Sequence, residues 1–173
     1  DATFVARTID SDRKHLTEVL RAAAEHEGTA LVEIYQNCNI FNDNAWEPLK
    51  DSDTRDDVMM RLVHGEPIRF GKDKEKGVIR TSDGHIKVVE VAEVGEDAII
   101  VHDAHAKDPG LAFALSRLAN PRTLNNTPIG IFRDISRPSY DRLVLEQNEA
   151  VVERKGPGDL QALLTGSDTW MVS

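Results

Sequence analysis

Thr29-Ala30-Leu31-Val32-Glu33-Ile34 runs without a break into Tyr35-Gln36-Asn37-Cys38-Asn39-Ile40-Phe41-Asn42-Asp43-Asn44-Ala45-Trp46. The first six residues form a short apolar run of the kind that makes a buried strand. The next twelve form a polar loop that holds the chain's one cysteine. Gln36, Asn37, Asn39 and Asn42 surround that cysteine with amides. Loops carry function more often than the elements they join, and in open α/β sheets ligands sit at the carboxyl ends of strands. The rest of the chain is therefore read first as scaffold for this loop.

Working upstream, residues 3–8 form a second short run of β-branched and aromatic residues. Between the two runs, Leu16, Val19, Leu20 and Ala23 recur at helical spacing and predict a helix over about residues 13–26. Ser11 or Asp10 is placed to cap its start, and Gly28 to close its end. Strand, helix, strand with short joints implies a parallel pair.

Downstream, Thr54-Arg55-Asp56-Asp57 resembles a helix start, and Val58, Met59, Leu62 and Val63 are expected on the inward face of a helix ending at Gly65. Short β-like runs follow at 77–80, 86–91 and 97–102, with hairpin turn chemistry at Ser82-Asp83-Gly84. Asp108-Pro109 opens a helix with Leu111, Ala114, Leu115 and Leu118 on its apolar face. Pro128-Ile129-Gly130-Ile131-Phe132-Arg133 is a strand or extended segment. A long helix over about 138–154 is expected to bury Tyr140, Leu143, Val144, Gln147 and Val151, and a last turn runs from Asp159 to Leu164.

At 173 residues the chain is long enough for a real core. Its net charge of −9 argues against nucleic acid, since phosphate contacts need a surplus of Lys and Arg. No apolar run is long enough to span a bilayer and no signal peptide is visible, so a cytoplasmic setting without a membrane is expected. A single cysteine rules out an internal disulfide framework. The chain opens at Asp1 directly on strand-like sequence, which suggests a piece of something longer.

Taken alone, Cys38 has several readings. A lone cysteine is commonly a small buried hydrophobe. As a nucleophile it would need a histidine base, and none of the six lies in its loop. An iron–sulfur cluster needs four ligands, of which this chain supplies one thiolate. His102-Asp103-Ala104-His105 has no evident third metal ligand and suits a surface or capping role. Gly71-Lys72-Asp73-Lys74-Glu75-Lys76-Gly77 lacks the ending of a phosphate loop and reads as a solvated turn, whose lysines could meet an acidic partner.

Residues 2–7, Leu31-Val32-Glu33-Ile34, Cys38 and Phe41-Asn42, taken in order, resemble the second half of the beta subunit of 2-oxoacid:ferredoxin oxidoreductases. Gln36 to Asp43 is similar to the 2-oxoglutarate type. Phe70 to Gly77, Asp108 to Leu118, Pro128 to Arg133 and Gly156-Pro157-Gly158-Asp159-Leu160 continue the resemblance, so it covers essentially the whole chain. It implies an α/β fold: the carboxyl-terminal part of a thiamine-diphosphate-binding parallel-sheet domain over 1–66, and a small β-hairpin and helical carboxyl-terminal extension over 67–173.

The same resemblance implies an enzyme that oxidatively decarboxylates 2-oxoglutarate, transfers the acyl group to coenzyme A and reduces ferredoxin. Pyruvate or another 2-oxoacid is the alternative substrate, and a non-catalytic interaction or assembly domain is the competing reading. The implied cofactors are thiamine diphosphate, Mg²⁺ and a [4Fe-4S] cluster. The implied partners are an alpha subunit and the amino-terminal half of the beta subunit. By position, Cys38 matches the last cluster ligand and Asn42 falls near the cofactor region. Ile40 stands where the family often has Thr. The Gly-Asp-Gly and Cys-x-x-Cys motifs of the family are missing here, so they are expected in the half before Asp1, and this chain alone is expected to be inactive. Two late strands of a parallel sheet without their neighbours would leave an open edge that something must cover.

Overall fold

The computed structural model describes residues 2–170 and 172. They form two units, 1–137 and 138–173. The first unit begins as the sequence predicts. β1 (Phe4–Ile9) and β2 (Ala30–Tyr35) pair in parallel across α1 (Arg13–Glu25), with Phe4 opposite Ala30 and Ile9 opposite Tyr35. The cap of α1 differs from expectation. Asp12, not Ser11 or Asp10, accepts a hydrogen bond from the His15 backbone N–H at 3.1 Å. Its packed face is Val19, Ala22 and Ala23 against Phe4 and Ala6, while Leu20 turns outward. The helix ends in an extended His26, and Gly28 follows with φ +137.

Downstream of the Cys38 loop come α2 (Glu47–Lys50) and α3 (Arg55–Val58). Here the structure overturns the predicted helix through Val63. Met59–Leu62 is a strand, β3, buried at Met59, Met60 and Leu62 and exposed at Arg61. A short apolar run does not reveal its own period. The deciding factor lies some seventy residues away, because β3 pairs in parallel with β7 (Thr127–Asp134), Met59 opposite Thr127 and Leu62 opposite Gly130. β7 also pairs with β1, antiparallel, with a register shift at Val5/Ala6. The resulting sheet has the order β2-β1-β7-β3. It is a mixed sheet with two parallel pairs, and it takes strands from both sides of residue 66.

β2 is therefore an edge, and the expectation of a buried strand is corrected. Leu31 and Ile34 remain exposed because β2 has a partner on one side, among the described residues.

A second, antiparallel sheet holds β4 (Arg69–Phe70), β5 (Lys76–Arg80) and β6 (Ile86–Glu90). The turn at Gly84 takes φ +87, as the Ser-Asp-Gly signal predicts. Helix α4 (Val91–Val94) follows. The strand expected at 97–102 is instead a 3₁₀ turn over Glu96–Ala98 and a single bridge between Pro67 and Val101. Next comes α5 (Gly110–Ser116), with Asp108 Oδ1 accepting from the Gly110 N–H at 2.9 Å. Met60, Leu62, Ile68, Phe70, Val78, Leu115 and Phe132 join the two sheets and α5 in one core.

The second unit contains α6 (Tyr140–Lys155) and α7 (Leu160–Thr165). Both helices are where the periodicity puts them. The expected burial is not: Tyr140, Leu143 and Val151 are exposed, and α6 has no buried residue. Helical spacing specifies which residues share a face, not what covers that face.

Candidate functional site

The loop after β2 is organised from both ends. At its far end the Trp46 indole stacks on Tyr35, the last residue of β2, with ring centroids 4.0 Å apart and 10° between planes. Trp46 Nε1–H donates to the Gln36 carbonyl at 3.0 Å, so the ring closes the loop onto its first residue. Inside the loop, Asn37 Nδ2 donates to Asn39 Oδ1 at 2.8 Å and Asp43 Oδ1 at 2.9 Å. Asn37 Oδ1 accepts from the Asn44 backbone N–H at 2.9 Å. Only an oxygen can meet that N–H, so one orientation of the amide satisfies the network. Asn44 takes φ +60, a left-handed conformation that asparagine tolerates better than most residues.

Cys38 stands inside this frame. The Asn42 N–H donates to its carbonyl at 2.9 Å, forming a tight antiparallel bridge. The thiol is free and partly exposed. Backbone N–H groups of Phe41, then Ile40, then Asn42 face the sulfur and pull its pKa below the ordinary thiol value, against opposing effects of desolvation and the Asp43 charge. The three N–H groups therefore stabilise the thiolate, the form that binds metal, relative to an ordinary thiol. Ile40 and Phe41 are 83% and 89% exposed, so the tip presents two apolar side chains beside it.

Peptide N–H groups face the sulfur, while the Asn37 side chain holds the loop in shape. Asn42 is exposed and is tied to Cys38 through its backbone.

Beneath the loop, Ile9, Leu49, Met59, Leu124 and Ile129 form a small core on which Tyr35 and Trp46 rest. The Arg7 guanidinium lies 5.3 Å from the Tyr35 ring centroid. Sequence reading found the loop but not this supporting layer, because Arg7 and Ile129 are brought to it only by the sheet order.

The sheet carries a separate cavity of about 610 Å³ between α1, β3, β7 and the 104–105 segment. Val19, Leu62 and Ile131 line it with Arg61, His64 and His105. Arg61 Nη2 meets Asp12 Oδ2 at 2.6 Å. Desolvation opposes ionisation of Asp12, but Arg61 and the His15 N–H hold its pKa below the usual carboxylate value. No motif joins these residues, and the sequence pointed to His105 alone among its polar side chains, as part of the 102–105 segment.

The surface or capping role expected of the His102–His105 segment divides. His102 is buried, with its ring Nε2 2.7 Å from the Ile131 carbonyl, whereas His105 packs against His64 with centroids 4.4 Å apart. In the 71–77 turn, Lys72 Nζ lies 3.9 Å from Asp57 Oδ2 and Lys76 Nζ 4.0 Å from Glu75 Oε1, so two of the three lysines face an acid of their own chain. Among the described residues no group of three or more His, Cys, Asp or Glu could hold a metal ion, and no helix is long and apolar enough to cross a membrane.

The chain sets its lone cysteine on a braced loop at the end of a strand in a partly parallel α/β sheet, and comparison with known proteins finds it similar to subunits of 2-oxoacid oxidoreductases. The chain is 49% identical, over 99% of its length, to the 2-oxoglutarate oxidoreductase subunit KorB of Mycobacterium tuberculosis. It spans 46% of that relative's length. A 2-oxoacid:ferredoxin oxidoreductase subunit beta of Saccharolobus solfataricus is 30% identical over 35% of this chain and 26% of its own. Among solved structures, a 2-oxoglutarate:ferredoxin oxidoreductase from Magnetococcus marinus with 2-oxoglutarate, coenzyme A and succinyl-CoA bound superposes with a TM-score of 0.54 at 20% identity. That likeness concerns the fold; it covers 96% of this chain and 41% of the other. No family model matches.

Proposed function

We propose that this chain is part of a thiamine-diphosphate-dependent oxidoreductase that decarboxylates 2-oxoglutarate oxidatively to succinyl-CoA and reduces ferredoxin. The observation that carries the reading is the braced Cys38 loop, set in a chain similar over nearly its whole length to a 2-oxoglutarate oxidoreductase subunit. When bound, thiamine diphosphate would supply an electron sink for decarboxylation and an iron–sulfur cluster would supply one-electron transfer.

This chain's own residues fit one part of that machinery. Cys38 supplies one thiolate ligand to a [4Fe-4S] cluster, and the peptide N–H groups of Ile40, Phe41 and Asn42 stabilise the charge on its sulfur. Asn42 would fall near the cofactor region. The other cluster ligands, and those of thiamine diphosphate and Mg²⁺, belong to the amino-terminal half of the beta subunit, with residues 1–66 continuing its domain and 67–173 forming the extension. The assembly includes an alpha subunit, works in the cytoplasm, and needs both halves for activity.

The test is Cys38→Ala in the assembled enzyme, read by iron content and by the electron paramagnetic resonance signal of the reduced cluster. Loss of the signal is expected. A cluster of unchanged content and potential would remove the ligand assignment. Rates across a panel of 2-oxoacids, with 2-oxoglutarate expected fastest, test the substrate.

A further inference from the structure

We infer that Trp46 and Asn37 are positioning residues that hold the Cys38 sulfur in place for the cluster, an inference that rests on the reading of Cys38 as a ligand. Neither residue need touch the cluster. Trp46 fixes where the loop returns, since its ring is stacked on Tyr35 at 4.0 Å and its Nε1–H is bonded to the Gln36 carbonyl at 3.0 Å. Asn37 fixes how the loop runs between those ends, through its bonds to Asn39, Asp43 and the Asn44 backbone.

The two devices are independent, one aromatic and one amide, and both act within two residues of the cysteine or across its loop. Tyr35 is anchored in turn. It ends a strand paired residue by residue with β1, and its ring lies beside the Arg7 guanidinium. The path from the sheet to the sulfur is therefore Arg7, Tyr35, Trp46, Gln36 and Cys38, with short contacts until the backbone takes over.

The Asn37 Nδ2 bond to the Asp43 carboxylate at 2.9 Å ties the strand side of the loop to its return arm. Rigid support matters because outer groups that orient a metal ligand are commonly worth about 10–100-fold in metal affinity. An exposed loop without them would wander, and the sulfur with it.

The experiment compares Trp46→Phe, Trp46→Ala, Asn37→Ala and Cys38→Ala in the assembled enzyme. Three quantities are read: cluster iron retained against a chelator, midpoint potential from a redox titration, and thermal stability of the complex. Trp46→Ala and Asn37→Ala are expected to weaken iron retention about 10-fold or more. Both should shift the potential while the complex keeps its melting temperature. Trp46→Phe keeps the ring and loses the indole bond, so it should fall between wild type and Trp46→Ala. Wild-type retention and potential in Trp46→Phe, Trp46→Ala and Asn37→Ala, with the cluster lost in Cys38→Ala, would overturn the inference and leave the ligand assignment standing. A cluster intact in Cys38→Ala overturns both. Should Trp46→Ala fail to assemble, Trp46→Phe and Asn37→Ala decide: unchanged values in both overturn the inference.

Discussion

A Cβ atom on Gly130 would stand 2.6 Å from the carbonyl oxygen of Leu62. The two residues are register partners in the parallel pairing of β7 with β3, and Gly130 takes φ +134. Close backbone approach and an unusual dihedral therefore coincide in the strand that joins β1 to β3. Only glycine meets both conditions.

Gly130→Ala is accordingly expected to lower stability by about 1–3 kcal/mol, the usual cost of forcing a side-chain-bearing residue into such a conformation. Chemical denaturation of the variant beside Ile129→Val, a milder change one residue away, measures it. Equal stability of Gly130→Ala and wild type would show that the strand pair can separate without cost.

Arg7 makes a prediction of a different kind. Its Nε donates to Glu33 at 2.6 Å, Nη1 to the Pro128 carbonyl at 3.4 Å and Nη2 to the Ser116 carbonyl at 3.2 Å. Its guanidinium also lies about equally far from the Tyr35 and Phe132 rings, at 5.3 and 5.2 Å. A lysine keeps the charge but not the planar fork. Arg7→Lys should leave carbonyls of β7 or α5 without their partner and cost about 1–3 kcal/mol. If the lysine variant unfolds at the same denaturant concentration as wild type, the fork is not what ties β1 to its neighbours.

These two residues also show how far sequence reading reached. Local chemistry was legible: β1, α1, the Gly84 hairpin, α6 and the Cys38 loop follow from residues within one element of each other. What depended on distant partners was not. Val58-Met59-Met60-Arg61-Leu62-Val63 fits a helix by spacing and becomes β3 only because β7 lies beside it. Leu31 and Ile34 were expected inside because they are apolar, yet a strand's position in a sheet, centre or edge, is not encoded in its own residues. The same limit applies at the site. Cys38 stood out by its type, whereas the work of Asn37 and Trp46 depends on hydrogen bonds and a stack that the folded loop creates.

Cys38 can be tested without any cluster. Peptide N–H groups of Phe41, Ile40 and Asn42 lower its pKa, and Asp43 works against them. The rate of alkylation by iodoacetamide should therefore reach half its high-pH plateau below ~8.5, the value of a free thiol. Asp43→Asn should move that midpoint lower still. A midpoint at or above the free-thiol value would contradict the placement of the three N–H groups.

His102 supplies the last prediction, a pH dependence of stability. The side chain is 1% exposed, and its Nε2 lies 2.7 Å from the Ile131 carbonyl. Burial pushes its pKa down. The Ile131 carbonyl and Asp103 push it up, while His64 and His105 push it down again, and the net result lies below the ordinary histidine value. An unfolded chain titrates this group near pH ~6.5. Below that pH the unfolded state binds a proton that the folded state does not, so acid favours unfolding. The contribution of His102 is complete above pH ~6.5 and declines as pH falls toward its lower folded value. His15, also lowered chiefly by desolvation, acts in the same direction. Stability measured between pH 7.5 and pH 5 should therefore fall with acid, and fall less steeply in His102→Gln, which keeps a donor for the Ile131 carbonyl. Parallel pH profiles for wild type and His102→Gln would mean that His102 takes up its proton in the folded protein as readily as in the unfolded chain.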